Sequence, residues 1–172
     1  MKVTSLVLAA LVGAAQAVLP PAEVRSYCVD IFRTAFPHQH WVTRGDLEQF
    51  IRKVNPGDNY FSCPEGVEDN TLTNFSQLEL FEWFNHNFDP DMLKYSETIV
   101  GDVSVSGNVC SFEKTFTALM SEDCYVSVMS RLFMEITDDG MVKRWVDHFD
   151  GEELGRQMTV CSLGRHIPRT EL

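Results

Sequence analysis

Asp147 stands between Trp145 and Phe149 in a run, Met141 to Phe149, that is rich in strand formers. Strand side chains alternate, so Met141, Lys143, Trp145, Asp147 and Phe149 are expected on one face, with the carboxylate between two large rings. Desolvation disfavours the charged form of such an acid and raises its pKa toward neutrality, where a carboxyl can give and take protons. The competing expectation is a structural carboxylate held by hydrogen bonds. Lys114 alternates with Phe112 and Phe116 and is the second candidate. Either it pairs with Asp147, which would keep that acid ionised, or it lies at a rim as a solvated charge.

The elements that must position these residues are marked by spacing and punctuation. Pro20-Pro21 leads into a helix with apolar residues at three- and four-residue steps (Val24, Tyr27, Cys28, Ile31, Phe32, Ala35), which Pro37 ends. A second helix is predicted from Gly45 to Val54, then a short strand over Tyr60–Cys63. A third helix opens on a Ser76/Glu79 capping box, carries Leu78, Phe81, Trp83, Phe84 and Phe88, and stops at Asp89-Pro90. Strands follow over Glu97–Val105, Asn108–Leu119, Tyr125–Thr137 and Met141–Phe149, the last pair joined by Asp139-Gly140. Asp150 with Glu153 reads as the cap of a last helix. Three helices followed by an antiparallel meander predict an α+β domain in which a strongly curved sheet wraps the helices.

Composition narrows the function. The 172 residues carry a net charge of −11 with no block of Lys and Arg, which argues against nucleic-acid and anionic-membrane partners and favours a small apolar ligand. Lys2, the apolar run Leu6 to Ala15 and Ala15-Gln16-Ala17 read as a signal peptide over residues 1–17. That predicts a secreted or secretory-lumen protein, and Arg169-Thr170-Glu171-Leu172 only weakly resembles a retrieval tail. The domain is expected over residues 18–160, with a tail over 161–172. Five cysteines in an oxidising compartment predict one or two disulfides of open pairing and at least one remaining thiol. Asn74-Phe75-Ser76 is a glycosylation sequon.

The segment Asp139-Gly140-Met141-Val142-Lys143-Arg144-Trp145-Val146-Asp147-His148-Phe149-Asp150 resembles the DGxIxxWRDYFD ending of limonene-epoxide-hydrolase-like proteins in the nuclear transport factor 2-like superfamily. It also suits the SnoaL-like polyketide cyclases. Upstream, Gly45-Asp46-Leu47 and Asn59-Tyr60-Phe61-Ser62-Cys63-Pro64 are similar to the hydrolases' G-D-x helix start and Y-H-N-I-P. The resemblance implies a cone of sheet and helices around a pocket and chemistry that needs no cofactor. In the hydrolases the acid matched by Asp147 works with an Arg-x-Asp pair, while a Tyr and an Asn hold the attacking water. Tyr60 matches the tyrosine, Ser62 stands at the asparagine, and the Arg-x-Asp pair falls near Lys114-Thr115-Phe116, which keeps a cation and loses the second acid.

The site so implied uses Asp147 as acid/base and Tyr60 as its hydrogen-bonding partner. Lys114, Ser62, Trp145, Phe149, Phe112, Phe116 and Trp83 would bind the ligand, with no metal. Its chemistry would be cyclisation, isomerisation, dehydration or hydrolysis of a small polyketide- or terpenoid-like molecule. The alternative is a non-catalytic ligand-binding or protein-interaction member of the same fold, and a homodimer is a further expectation. His148 should face away from the pocket, His38 and His40 lack a third ligand by sequence, and Cys63 reads as a disulfide or buried thiol more readily than as a nucleophile.

Overall fold

The computed structural model describes residues 19–64 and 70–164. The expected signal peptide and the Arg169–Leu172 tail lie outside the described residues. The chain runs α1 (Pro21–Ala35), α2 (Arg44–Ile51), β1 (Tyr60–Ser62), β2 (Thr71–Thr73), α3 (Gln77–Asn87), β3 (Lys94–Ser106), β4 (Val109–Ser121), β5 (Cys124–Ile136), β6 (Val142–Phe149) and α4 (Gly151–Ser162). Six strands form one curved, open sheet in the order β2-β1-β6-β5-β4-β3.

The α+β architecture matches the sequence expectation, with one correction. The sheet is mixed, because β1 pairs with β6 in parallel (Phe61 opposite Trp145). The parallel pairing was not visible in local spacing, since β1 is three residues long and its partner is far along the chain. The last helix, expected from the Asp150 cap, follows β6 and runs two residues past the expected domain boundary at 160.

Caps and turn chemistry set the boundaries. Thr43 and Asp46 form a capping box that starts α2 at Arg44, and Ser76 with Glu79 does the same for α3. In α4, Asp150 accepts a hydrogen bond from the Glu153 amide. Buried Val24, Cys28, Ile31, Phe32 and Ala35 turn one face of α1 onto the sheet, where Phe32 meets Phe112 edge-on at 5.1 Å. Disulfide Cys28–Cys110 staples α1 to β4, and Cys124–Cys161 staples α4 to β5. Cys63 is the free thiol. No helix among the described residues is long and apolar enough to cross a membrane.

Only Gly140 of the Asp139-Gly140 pair takes a positive φ, +79°. The connection is a three-residue loop closed by Thr137 and Met141, of the kind that ends in a left-handed glycine. Just beyond it the register slips between Glu135 and Ile136, leaving Lys143 as the extra residue of a bulge. The bulge breaks the simple alternation expected over Met141–Phe149. Trp145, Asp147 and Phe149 face the interior, whereas Lys143 points to Asp58 (3.5 Å) and Glu135 (3.9 Å).

A Cβ on Gly140 would lie 2.7 Å from the Tyr27 ring as well as forcing a left-handed residue. Gly140→Ala should therefore cost about 1–3 kcal/mol of stability. Thermal unfolding checks this, and an unchanged melting temperature would show that the hairpin tip relaxes freely.

Candidate active site

Lys114 carries the charge around which the site is built. It lies on the inward row of β4, opposite Ile99 of β3 and Ser130 of β5, and only 1% of its surface is exposed. Its ammonium reaches diagonally in both directions across the sheet. Nζ lies 2.6 Å from Glu97 Oε2 on β3 and 2.7 Å from Asp147 Oδ2 on β6. Both acids are buried, at 7% and 2% exposure. The structure thus shows the Lys114–Asp147 pair that was one of the two sequence alternatives.

Burying two carboxylates beside one ammonium leaves an excess negative charge in a medium that solvates charge poorly. Glu97 answers that excess. Burial raises its pKa most, the ammonium of Lys114 pulls it back, and the charge of Asp147 raises it again, so that it is pushed up to about 7. The opposite balance holds at Lys114, where burial favours the neutral amine but Asp147 and Glu97 outweigh it and raise its pKa. The carboxyl tuned toward neutrality is therefore Glu97, which the sequence reading did not single out.

Asp147 and Glu97 line a narrow cavity of about 30 Å³, which is room for about two water molecules. Phe36, Phe61, Phe84, Phe88, Phe116 and Trp145 form most of its wall, and Phe61 and Trp145 stack at 6.2 Å. Tyr95 and Cys63 are its other polar members. The Cys63 thiol donates to Asp147 Oδ2 at 3.7 Å, and burial, followed by the neighbouring Asp147 charge, pushes it well above the usual thiol range. Asp147 Oδ1 and the Tyr95 hydroxyl, both buried, have no hydrogen-bond partner among the described residues. Phe149 and Leu154 are half-buried and border solvent.

The structure brings together some of the sequence candidates and separates others. Asp147, Lys114, Trp145, Phe149 and Phe116 meet at the cavity. Tyr60 and Ser62 do not reach it, because Phe61 and Cys63 are the residues of that segment that point inward. Tyr60 lies under Arg144 on the other side, 4.7 Å from guanidinium carbon to ring centroid. Ser62 is hydrogen-bonded to Thr71. Phe112 belongs to the α1 interface, and Trp83 packs behind Phe61 at 4.9 Å. His148 faces outward against Phe133, and His40 meets Asp46 at 3.2 Å. Among the described residues no group of three or more His, Cys, Asp or Glu side chains is arranged to hold a metal.

Tyr95 and Glu97 left one usable signal. They share the inward parity of Tyr95-Ser96-Glu97-Thr98-Ile99, so a strand begun two residues earlier would have put a charge on its apolar face.

No protein-family model matches the chain, and no curated protein matches it in sequence. Among solved structures, an LEH-like epoxide hydrolase of M. tuberculosis aligns with a TM-score of 0.59 at 14% identity, covering 84% of this chain and 98% of that one. The chain has the limonene-epoxide-hydrolase-like fold. Within this nuclear transport factor 2-like fold the motif position of the hydrolases' second acid carries no carboxyl here. The family motif places it two residues after the cation, a position held here by Phe116. The residue paired directly with Phe116 across the β3–β4 ladder is Glu97. A carboxyl thus stands beside the cation from the neighbouring strand.

Folded chain holds the Glu97 proton up to about pH 7, whereas unfolded chain releases it near 4.5. The stability this contributes is present below 4.5 and is lost as pH rises through 7. The melting-temperature advantage of wild type over Glu97→Gln should shrink across that window, and parallel curves would show that Glu97 is not so tuned.

Proposed function

We propose that this protein is a cofactor-independent enzyme performing acid/base chemistry on a small, mostly apolar molecule. The observation that carries the reading is the buried Glu97–Lys114–Asp147 bridge opening onto a ring-lined cavity. Asp147, with one unpartnered oxygen in the wall, is the base; Glu97, holding a proton near neutrality, is the acid. Lys114 fixes the two carboxyls relative to each other, and the rings exclude water that would otherwise compete.

The reaction best supported is addition of water to a strained cyclic ether, the class of chemistry named for the solved neighbour. Asp147 takes a proton from water as the water oxygen bonds to a ring carbon. The carbon–oxygen bond of the ring breaks, and the proton of Glu97 goes to the departing oxygen. Passage of the proton from Asp147 back to Glu97 resets the site. Cyclisation, isomerisation and dehydration use the same two carboxyls and are the runner-up chemistry. A ligand larger than the cavity requires Phe149 and Leu154 to move aside, and the second reading, a binding protein without turnover, draws on the Lys114 ammonium already occupying Asp147 Oδ2. Two disulfides suit an oxidising compartment, in keeping with a secreted or lumenal protein of one domain.

Asp147→Asn should lower turnover of a panel of small racemic epoxides by about 10²–10⁴-fold, the usual contribution of a positioned acid or base. Circular dichroism of the same sample establishes that it is folded. Full activity in the folded variant would remove Asp147 from the chemistry, and a wild-type protein inert toward the panel would favour the binding reading.

A further inference from the structure

We infer that the cavity is also a site for a primary ammonium carried on a short apolar chain. With all three groups ionised, Glu97, Lys114 and Asp147 carry one uncompensated negative charge inside a wall of aromatic rings. Ring faces present negative potential, so they make an extra anion less favourable and a cation more so. A neutral ligand leaves the imbalance to be met by a proton, whereas an ammonium meets it directly.

The polar atoms fit the donor count. A primary ammonium has three N–H donors and no acceptor. The residues lining the cavity include Glu97, Asp147, whose Oδ1 is buried without a partner among the described residues, and Tyr95, whose hydroxyl oxygen is likewise buried without one. Lys114 does not compete for them, because its own ammonium is held by the other Asp147 oxygen and by Glu97 Oε2. Phe36, Phe61, Phe116 and Trp145 offer the ring wall for the apolar chain, which is longer than the resting cavity and enters as Phe149 and Leu154 move aside. The net charge of −11 adds long-range attraction for a cation.

Binding of the ammonium and protonation of Glu97 answer the same charge, so they exclude one another. The groups facing Glu97 are Lys114 from β4, Asp147 from β6, Cys63 after β1 and Tyr95 from its own strand, with His38 and His40 bordering the outer side of the Glu97 segment. The inference goes beyond the catalytic reading and does not depend on it. Turnover decides that reading, and relative binding decides this one.

The experiment is a titration of the full oxidised chain with n-butylammonium and with its neutral isostere butan-1-ol, followed by the Trp145 indole N–H resonance. Butylammonium should bind more tightly than butanol at pH 8, and its advantage should fall about tenfold between pH 8 and pH 6 as Glu97 takes up a proton. Glu97→Gln should lower butylammonium affinity about tenfold or more, the worth of one charge-assisted hydrogen bond, while changing butanol binding little. It should also abolish the pH dependence, which separates Glu97 from the nearby histidines. Equal binding of alcohol and amine at pH 8, a ratio that does not change with pH, or failure of both to bind would each overturn the inference. If Glu97→Gln does not fold, the pH dependence in wild type carries the test alone.

Discussion

A single ammonium, that of Lys114, has to be answered by charge in a place where water cannot answer it. Nearly everything about the interior follows from that requirement. Two carboxylates must sit within hydrogen-bond reach of one nitrogen, they must come from strands on either side, and the sheet must curve enough to bring β3 and β6 toward the side chain of β4. Replacing the cluster by apolar residues would often be neutral or stabilising, whereas breaking it by halves strands a buried charge. The cluster is therefore poorly explained as a source of stability.

The scaffold around the bridge is correspondingly held in place. One disulfide fixes α1 against β4, the strand of Lys114. The other fixes α4 against β5, and between them Gln157 mimics a neighbouring strand by bonding both the amide and the carbonyl of Ser127. The Trp145 ring lies between Phe50 of α2 at 5.1 Å and Phe36 at 6.3 Å, so the strand bearing Asp147 is clamped by helices. Rigid surroundings allow hydrogen bonds below 3 Å to hold their geometry and give the two carboxyls different environments, which is how paired acids acquire different roles.

How much of this was legible in the chain depended on the range of each interaction. Local chemistry read well: the Ser76 and Asp150 caps, the positive φ at Gly140 and the apolar face of α1 are written in residues three or four positions apart. The inward placement of Trp145, Asp147 and Phe149 also read correctly, although the bulge at Lys143 broke the pattern just before them. The Tyr60–Cys63 segment was read one residue out of phase, because three residues carry too little alternation to fix which side is inside. Glu97 could not be recognised as the second acid from spacing along β4. Its place is defined across the ladder, opposite Phe116, and register between strands is set by sheet packing.

The parallel pairing of β1 with β6 has a consequence for the order in which the chain acquires its site. Cys63 and Asp147 are 84 residues apart, and the strand that seats the thiol finds its parallel neighbour only in β6, the last strand of the sheet. Closing so long a loop comes late in folding, since its entropy must be met before the contact rewards it. During synthesis the helices and the β3–β4 hairpin can form with Glu97 and Lys114 already side by side, a neutral pair. The excess charge arrives with Asp147, as β6 takes its place between β5 and β1. The uncompensated charge is therefore assembled when β6 joins the sheet, and α4, stapled by Cys124–Cys161, is added around a site already charged.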